Sequence, residues 1–130
     1  MAIGLDTSVV VRLLIGEPRS QVERARHRID RALAAGETIL VTDLVAAESY
    51  HALRHHYAVP EGEALSRLRQ LFESRVVRLE PPEAMGALTE GRGEALVDRL
   101  VVARYRGLGA VTVTLDRKQG RLEGAVPLRG

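Results

Sequence analysis

The chain has 130 residues, a length that fits one domain spanning residues 1–130, and its 45% hydrophobic and 28% charged content is ordinary for a soluble globular protein. There is no cysteine, which excludes disulfides, thiolate metal sites and a thiol nucleophile. No apolar run approaches the ~18 residues of a membrane span, no secretory signal is expected at the start, and the net charge of +2 rests on arginine, with Lys118 the only lysine. These features point to a cytoplasmic protein without a membrane partner. Arginine's planar fork suits phosphate, so the composition permits a nucleic-acid partner; a GC-rich genome or heat adaptation explains the same bias.

In chain order, "AIGL" reads as a short buried strand ending at Asp6. "TSVVVRLLIGE" follows as a helix, with Thr7 or Ser8 available to cap it and Pro18 to close it. From Ser20 to Ala35, Val22, Ala25, Ile29, Ala32 and Leu33 form one apolar stripe, and arginines take the wet face of a helix that Gly36 ends. "TILVT" is a second strand, after which Thr42 or Asp43 caps the helix "LVAAESYHALRHHY". Pro60 starts another helix, whose core stripe is Leu65, Leu68, Leu71 and Phe72. "RVVRLE" is a third strand stopped by Pro81 and Pro82, and "PEAMGALTEG" is a short helix ended by Gly91. The helix "EALVDRLVVARYRG" leads to a fourth strand, "AVTVTLD", and "AVPL" makes a fifth at an edge. Strands alternating with helices predict an α/β/α sandwich around a central, mostly parallel sheet of four to five strands.

Of the five aspartates, Asp30 lies among arginines on a wet helical face and Asp43 reads as a cap or first-turn residue. Asp6 and Asp116 each follow an apolar strand directly, and parallel strands share one C-terminal edge where ligand sites collect. Glu48 and Asp98 interrupt apolar surroundings in the early turns of helices that begin near that edge. Each acid also has a plain structural reading: helix-start acids favour the dipole, and Asp-Arg after a strand is an ordinary turn. Gathered at one point, however, four carboxylates would not all stay ionised unaided. A hard divalent cation, Mg²⁺ or Mn²⁺, resolves the repulsion, and it shares phosphate oxygens readily.

"GLDTSVVVRLL", "VTDLVAAESYHAL" and "DRLVVARYRGLGAVTVTLDR" resemble, in order and spacing, the three motif blocks of PIN-domain ribonucleases, most nearly the VapC-type toxins of bacterial toxin–antitoxin pairs. The likeness runs from residue 3 to residue 118. It implies a PIN-like α/β/α sandwich and an acidic cluster of Asp6, Glu48, Asp98 and Asp116 that is both metal site and catalytic site. Ser8 and Thr114 match hydroxyl positions that orient a metal-bound water or a carboxylate. The implied activity is Mg²⁺- or Mn²⁺-dependent endoribonuclease cleavage of RNA, leaving 5′-phosphate and 3′-hydroxyl ends. The implied partners are a cognate antitoxin and a second copy in a homodimer. Arg12, Arg99 and Arg117 adjoin the acidic motifs and are candidates for holding flanking phosphates. After Asp116 the chain departs from the family pattern, with "DRKQG" where an aromatic residue is common.

Other constellations carry less. His51 and His55 at i, i+4 with Glu48 have metal-ligand spacing, but no second such motif accompanies them. A haloacid-type phosphatase wants D-x-D where Asp6-Thr7-Ser8 stands, and "VVRLEPP" supplies no phospho-accepting Asp for a receiver domain. The alternatives to a nuclease are a PIN-like nucleic-acid-binding module, expected to have lost ligands, or a phosphotransfer or signalling domain without nuclease activity.

Overall fold

In the computed structural model, which describes residues 1–89, 93 and 95–128, the alternating pattern folds into parallel strands flanked by helices. Strand β1 (Ala2–Gly4) leads into helix α1 (Thr7–Ile15), and α2 (Arg19–Ala34) returns the chain to β2 (Thr38–Thr42). Then follow α3 (Asp43–His55), α4 (Glu61–Glu73), β3 (Val77–Glu80), α5 (Ala84–Thr89) and α6 (Leu96–Gly107). Strands β4 (Thr112–Thr114) and β5 (Ala125–Pro127) close the described chain. The expected end of one helix at Gly91 and the expected start of the next at Glu94 lie outside the described residues.

The sheet order is β1-β2-β3, all parallel, with Gly4 opposite Leu40 and Thr42 opposite Glu80. On β3, Val77 and Leu79 are buried while Arg78 and Glu80 face water, the alternation of a half-covered strand. Ile39 and Val41 of β2 join them against Leu53, Leu65 and Leu68, all nearly inaccessible. Removing each such leucine from water contributes ~1.5–3 kcal/mol, so the stripe read along α4 is the centre of the core. Among the described residues no helix is long and apolar enough to cross a membrane.

The structure alters three expectations. The five strands do not form one sheet: β4 and β5 pair in parallel with each other, Val113 opposite Val126, as a separate two-stranded sheet. Its outward face is apolar (Val111, Val113, Leu115, Val126) and Thr112 and Thr114 turn inward. Alternation identifies such a strand but not the edge it joins. Second, neither Thr7 nor Ser8 caps α1. The N-cap is Asp6, whose carbonyl accepts from Val9 and Val10 N–H at 3.1 Å each, leaving both hydroxyls free for other carboxylates. Third, α1 closes at Gly16, two residues before Pro18. Gly16 takes φ +83° and donates its N–H to the Arg12 carbonyl at 2.8 Å, a left-handed cap that glycine adopts without steric cost.

Candidate functional site

The β1 ladder continues one residue past the strand, Leu5 N–H donating to the Leu40 carbonyl at 2.9 Å, and the chain then turns into α1. Asp6 therefore stands at the C-terminal rim of the parallel sheet, exposed, between buried Leu5 and buried Val10. Its apolar neighbours anchor the strand and the helix, while its carboxylate stays in water and avoids the cost of burial. Ser8 Oγ donates to Asp6 Oδ2 at 3.2 Å. From the other side of the same turn, Thr7 Oγ1 donates to Glu48 Oε1 on α3 at 3.1 Å. Asp6 and Glu48 are thus brought to either side of Thr7, each with one hydroxyl donor.

Asp98 is the third residue of α6 and half-buried; Asp116 follows β4 and is exposed. Asp116 Oδ1 accepts from Gln119 N–H at 2.8 Å, and the Gln119 side chain reaches the Asp98 carbonyl at 3.5 Å. Thr114 Oγ1 accepts from the Asp116 N–H at 2.9 Å, so this hydroxyl shapes the turn rather than touching the carboxylate. Short hydrogen-bonded links thus join the Asp6 turn to Glu48 through Thr7, and the turn of Asp116 to the Asp98 backbone through Gln119. Among the described residues no three His, Asp or Glu side chains gather closely enough to hold a metal ion. The donor chemistry nonetheless fits a hard divalent cation: Asp6 and Glu48 offer carboxylate oxygens backed by hydroxyls, and Mg²⁺ commonly uses one or two carboxylates plus water and phosphate oxygens.

The residue missed at the sequence level is Asp43. It is the first residue of α3, but the cap is its neighbour Thr42, whose Oγ1 accepts from Val45 N–H at 3.2 Å. Asp43 is instead buried and bound by both arms of the Arg104 fork: Nε to Oδ2 at 2.9 Å and Nη2 to Oδ1 at 2.5 Å. Its Oδ1 also accepts from Leu44 N–H at 2.9 Å. The hydrogen bond from Arg104 holds the Asp43 carboxyl below the usual carboxylate value and outweighs the opposing effect of burial. The same bond raises Arg104, with a smaller contribution from Glu80 at the sheet rim. This fork ties α3, the helix of Glu48, to α6, the helix of Asp98. Its partners are 61 residues apart, and the only local signal was an acid beside Thr42, which already serves as the cap.

The three arginines expected near the motifs fare differently. Arg12 lines a groove with Ser8, and its Nη1 donates to Tyr57 Oη at 2.7 Å. Arg99 donates through Nε and Nη2 to the Ala87 carbonyl at 3.3 and 3.2 Å, bracing α6 against α5. Arg117 is exposed in the turn after Asp116. His51 and His55 stack on one another, ring centroids 5.9 Å apart and nearly parallel, on the exposed side of α3.

A three-stranded parallel sheet with an acid at the rim of its first strand, and a second acid held beside it by the first helix, defines an α/β protein with a rim-sited acidic centre. Residues 3–125 match the family model described as PIN domain, and the chain belongs to the PIN-domain family. PIN domains are in general metal-dependent nucleases. Comparison with curated proteins and with solved structures gives no match.

Proposed function

We propose that the chain, a single PIN domain over residues 1–130, is an Mg²⁺- or Mn²⁺-dependent endoribonuclease and the toxin of a type II toxin–antitoxin pair. The observation that carries this reading is Asp6 at the sheet rim with Glu48 tethered beside it through Thr7, in a chain whose family match spans nearly its whole length. Asp6, Glu48, Asp98 and Asp116 are the residues that would hold the metal. When bound, the ion supplies Lewis-acid polarisation of the phosphate and a water of lowered pKa. Ser8 fixes one oxygen of Asp6, and Thr7 fixes one oxygen of Glu48, so each carboxylate keeps an oxygen for ligation or for accepting the attacking water's proton. Thr114 and Gln119 hold the turn that presents Asp116. In the hydrolysis, water oxygen bonds to phosphorus, the bond to the 3′ oxygen breaks, and that oxygen takes up a proton, leaving 5′-phosphate and 3′-hydroxyl ends. The cognate antitoxin is read as a small protein that blocks the site, and the working form as a homodimer in the cytoplasm.

The test is cleavage of a mixed-sequence RNA by purified protein in Mn²⁺, with Asp6→Asn alongside. Losing a metal ligand exceeds the ~10–100-fold effect of losing an outer-shell partner, so Asp6→Asn is expected to cut at least ~100-fold more slowly while staying folded. A variant that cuts at the wild-type rate refutes the site. The alternative reading is a PIN-like module that binds nucleic acid without cutting it. That reading predicts RNA binding with no cleavage in either metal.

A further inference from the structure

Between α1 and α2 runs an open groove of about 360 Å³ lined by Ser8, Val9, Arg12, Gln21, Arg24 and Ala25. Its Ser8 end is hydrogen-bonded to Asp6, so the groove begins at the rim acid, and no carboxylate lines it. Arg24 does not stand alone. Arg28 lies four residues on and Arg31 seven residues on, the spacing of one helical face, and all three are exposed. Their side chains make no hydrogen bond or ion pair with other described residues. The acids of α2, Glu23 and Asp30, fall on the opposite flank with Arg19 and Arg26, where Arg19 pairs with Glu23 at 3.1 Å. The helix is thus divided into a flank of unpaired arginines continuous with the groove and a flank of mixed charge.

We propose that this groove, with Arg12 and Arg24 at its mouth and Arg28 and Arg31 beyond, binds the sugar–phosphate backbone of the single-stranded RNA that reaches Asp6. The proposal rests on the RNA-cleaving reading of the site and names the residues that position its substrate. The guanidinium of Arg12 is held by Tyr57 Oη and the Glu17 carbonyl on one nitrogen, leaving its remaining N–H groups for a phosphate. Along α2, Arg24 and Arg28 are about 6 Å apart in rise and Arg31 about 4.5 Å further, a ladder of forks that follows a backbone rather than a base. The groove offers no aromatic side chain for stacking, so the contacts are to phosphate and sugar and carry little sequence preference.

The experiment measures binding of a fluorescently labelled, mixed-sequence single-stranded RNA in EDTA, where cleavage does not interfere, over a series of NaCl concentrations. Arg24→Gln with Arg28→Gln is expected to weaken binding about tenfold and to flatten the slope of log affinity against log salt by about 1.4, at about 0.7 per lost phosphate contact. Arg19→Gln with Arg26→Gln removes the same charge from the other flank and is expected to stay within about twofold of wild type. Equal losses in both pairs, or no loss in either, overturn the proposal, because attraction is then diffuse or lies elsewhere. Poly-glutamate that displaces the RNA at equal charge concentration also overturns it and assigns the groove to an acidic protein segment. Cleavage in Mn²⁺ separates this outcome from the nuclease reading. RNA bound through this flank but never cut refutes the nuclease and keeps the groove; RNA cut normally by a variant with unchanged binding refutes the groove and keeps the nuclease.

Discussion

Replacing Arg104 by Ala strands a buried carboxylate, and the size of the effect follows from the exposure of the two partners. Asp43's side chain is 8% exposed and Arg104's 54%, so the pair is neither a surface ion pair nor a fully dry one. A hydrogen bond to a charged group contributes ~1.5–3 kcal/mol when enclosed, and water on the arginine side discounts that to ~1–2 kcal/mol. At ~2.1 cal/mol/K per residue, a chain of 130 residues loses about 4–7 °C in Tm. Since Arg104 depresses the Asp43 pKa, the contribution is present above the ordinary carboxylate value of 3.8 and disappears as pH falls through the lower folded-state value. Thermal melts of wild type and Arg104→Ala from pH 7 to pH 3 are the assay. The gap is expected to hold constant down to about pH 5 and to narrow below pH 4. Equal Tm at pH 7, or a gap that persists unchanged at pH 3, refutes the reasoning.

Mn²⁺ at a hundredfold its dissociation constant is expected to stabilise the wild-type protein by ~2.7 kcal/mol, read as a rise in Tm that EDTA reverses and Asp6→Asn abolishes. Thr7→Val removes the hydroxyl that holds Glu48 Oε1 and is expected to lower Mn²⁺ affinity ~10-fold with little change in Tm, measured by titration calorimetry. An unchanged affinity would show that Glu48 needs no tether. Gly93→Ala builds a Cβ into the hydroxyl of buried Tyr50, so overpacking of ~1–3 kcal/mol is expected in urea melts. A variant as stable as wild type would mean that Tyr50 moves aside freely.

Much of the secondary structure was legible because local patterns determine it. The stripe of Leu65, Leu68 and Phe72 needed only a 3.6 period, and Val77-x-Leu79 needed only a period of two. Asp6 was readable from a charge set between two apolar runs, and the position of Glu48 and Asp98 in early helical turns from the same contrast. What the local pattern does not carry is pairing over distance. Asp43 looked like an ordinary helix-start acid because its partner lies on α6, and Arg99 looked like a phosphate ligand although its fork is taken by the Ala87 carbonyl on α5. As caps, the hydroxyls of Thr7 and Ser8 would accept from backbone N–H; instead they donate, Ser8 locally to Asp6 and Thr7 across the fold to Glu48. Likewise "TVT" announces a strand, but nothing in three residues says whether it joins β1 or pairs with β5.

In the proposed function, this chain hydrolyses RNA with a divalent cation held at the Asp6 rim. The most direct test is the single-turnover rate of RNA cleavage by purified protein as Mn²⁺ is removed with EDTA and then restored. The rate is expected to saturate with Mn²⁺, vanish in EDTA and return on re-addition, and the fragments to carry 5′-phosphate ends. Cleavage that proceeds equally fast in EDTA, or intact RNA at saturating Mn²⁺, contradicts that function.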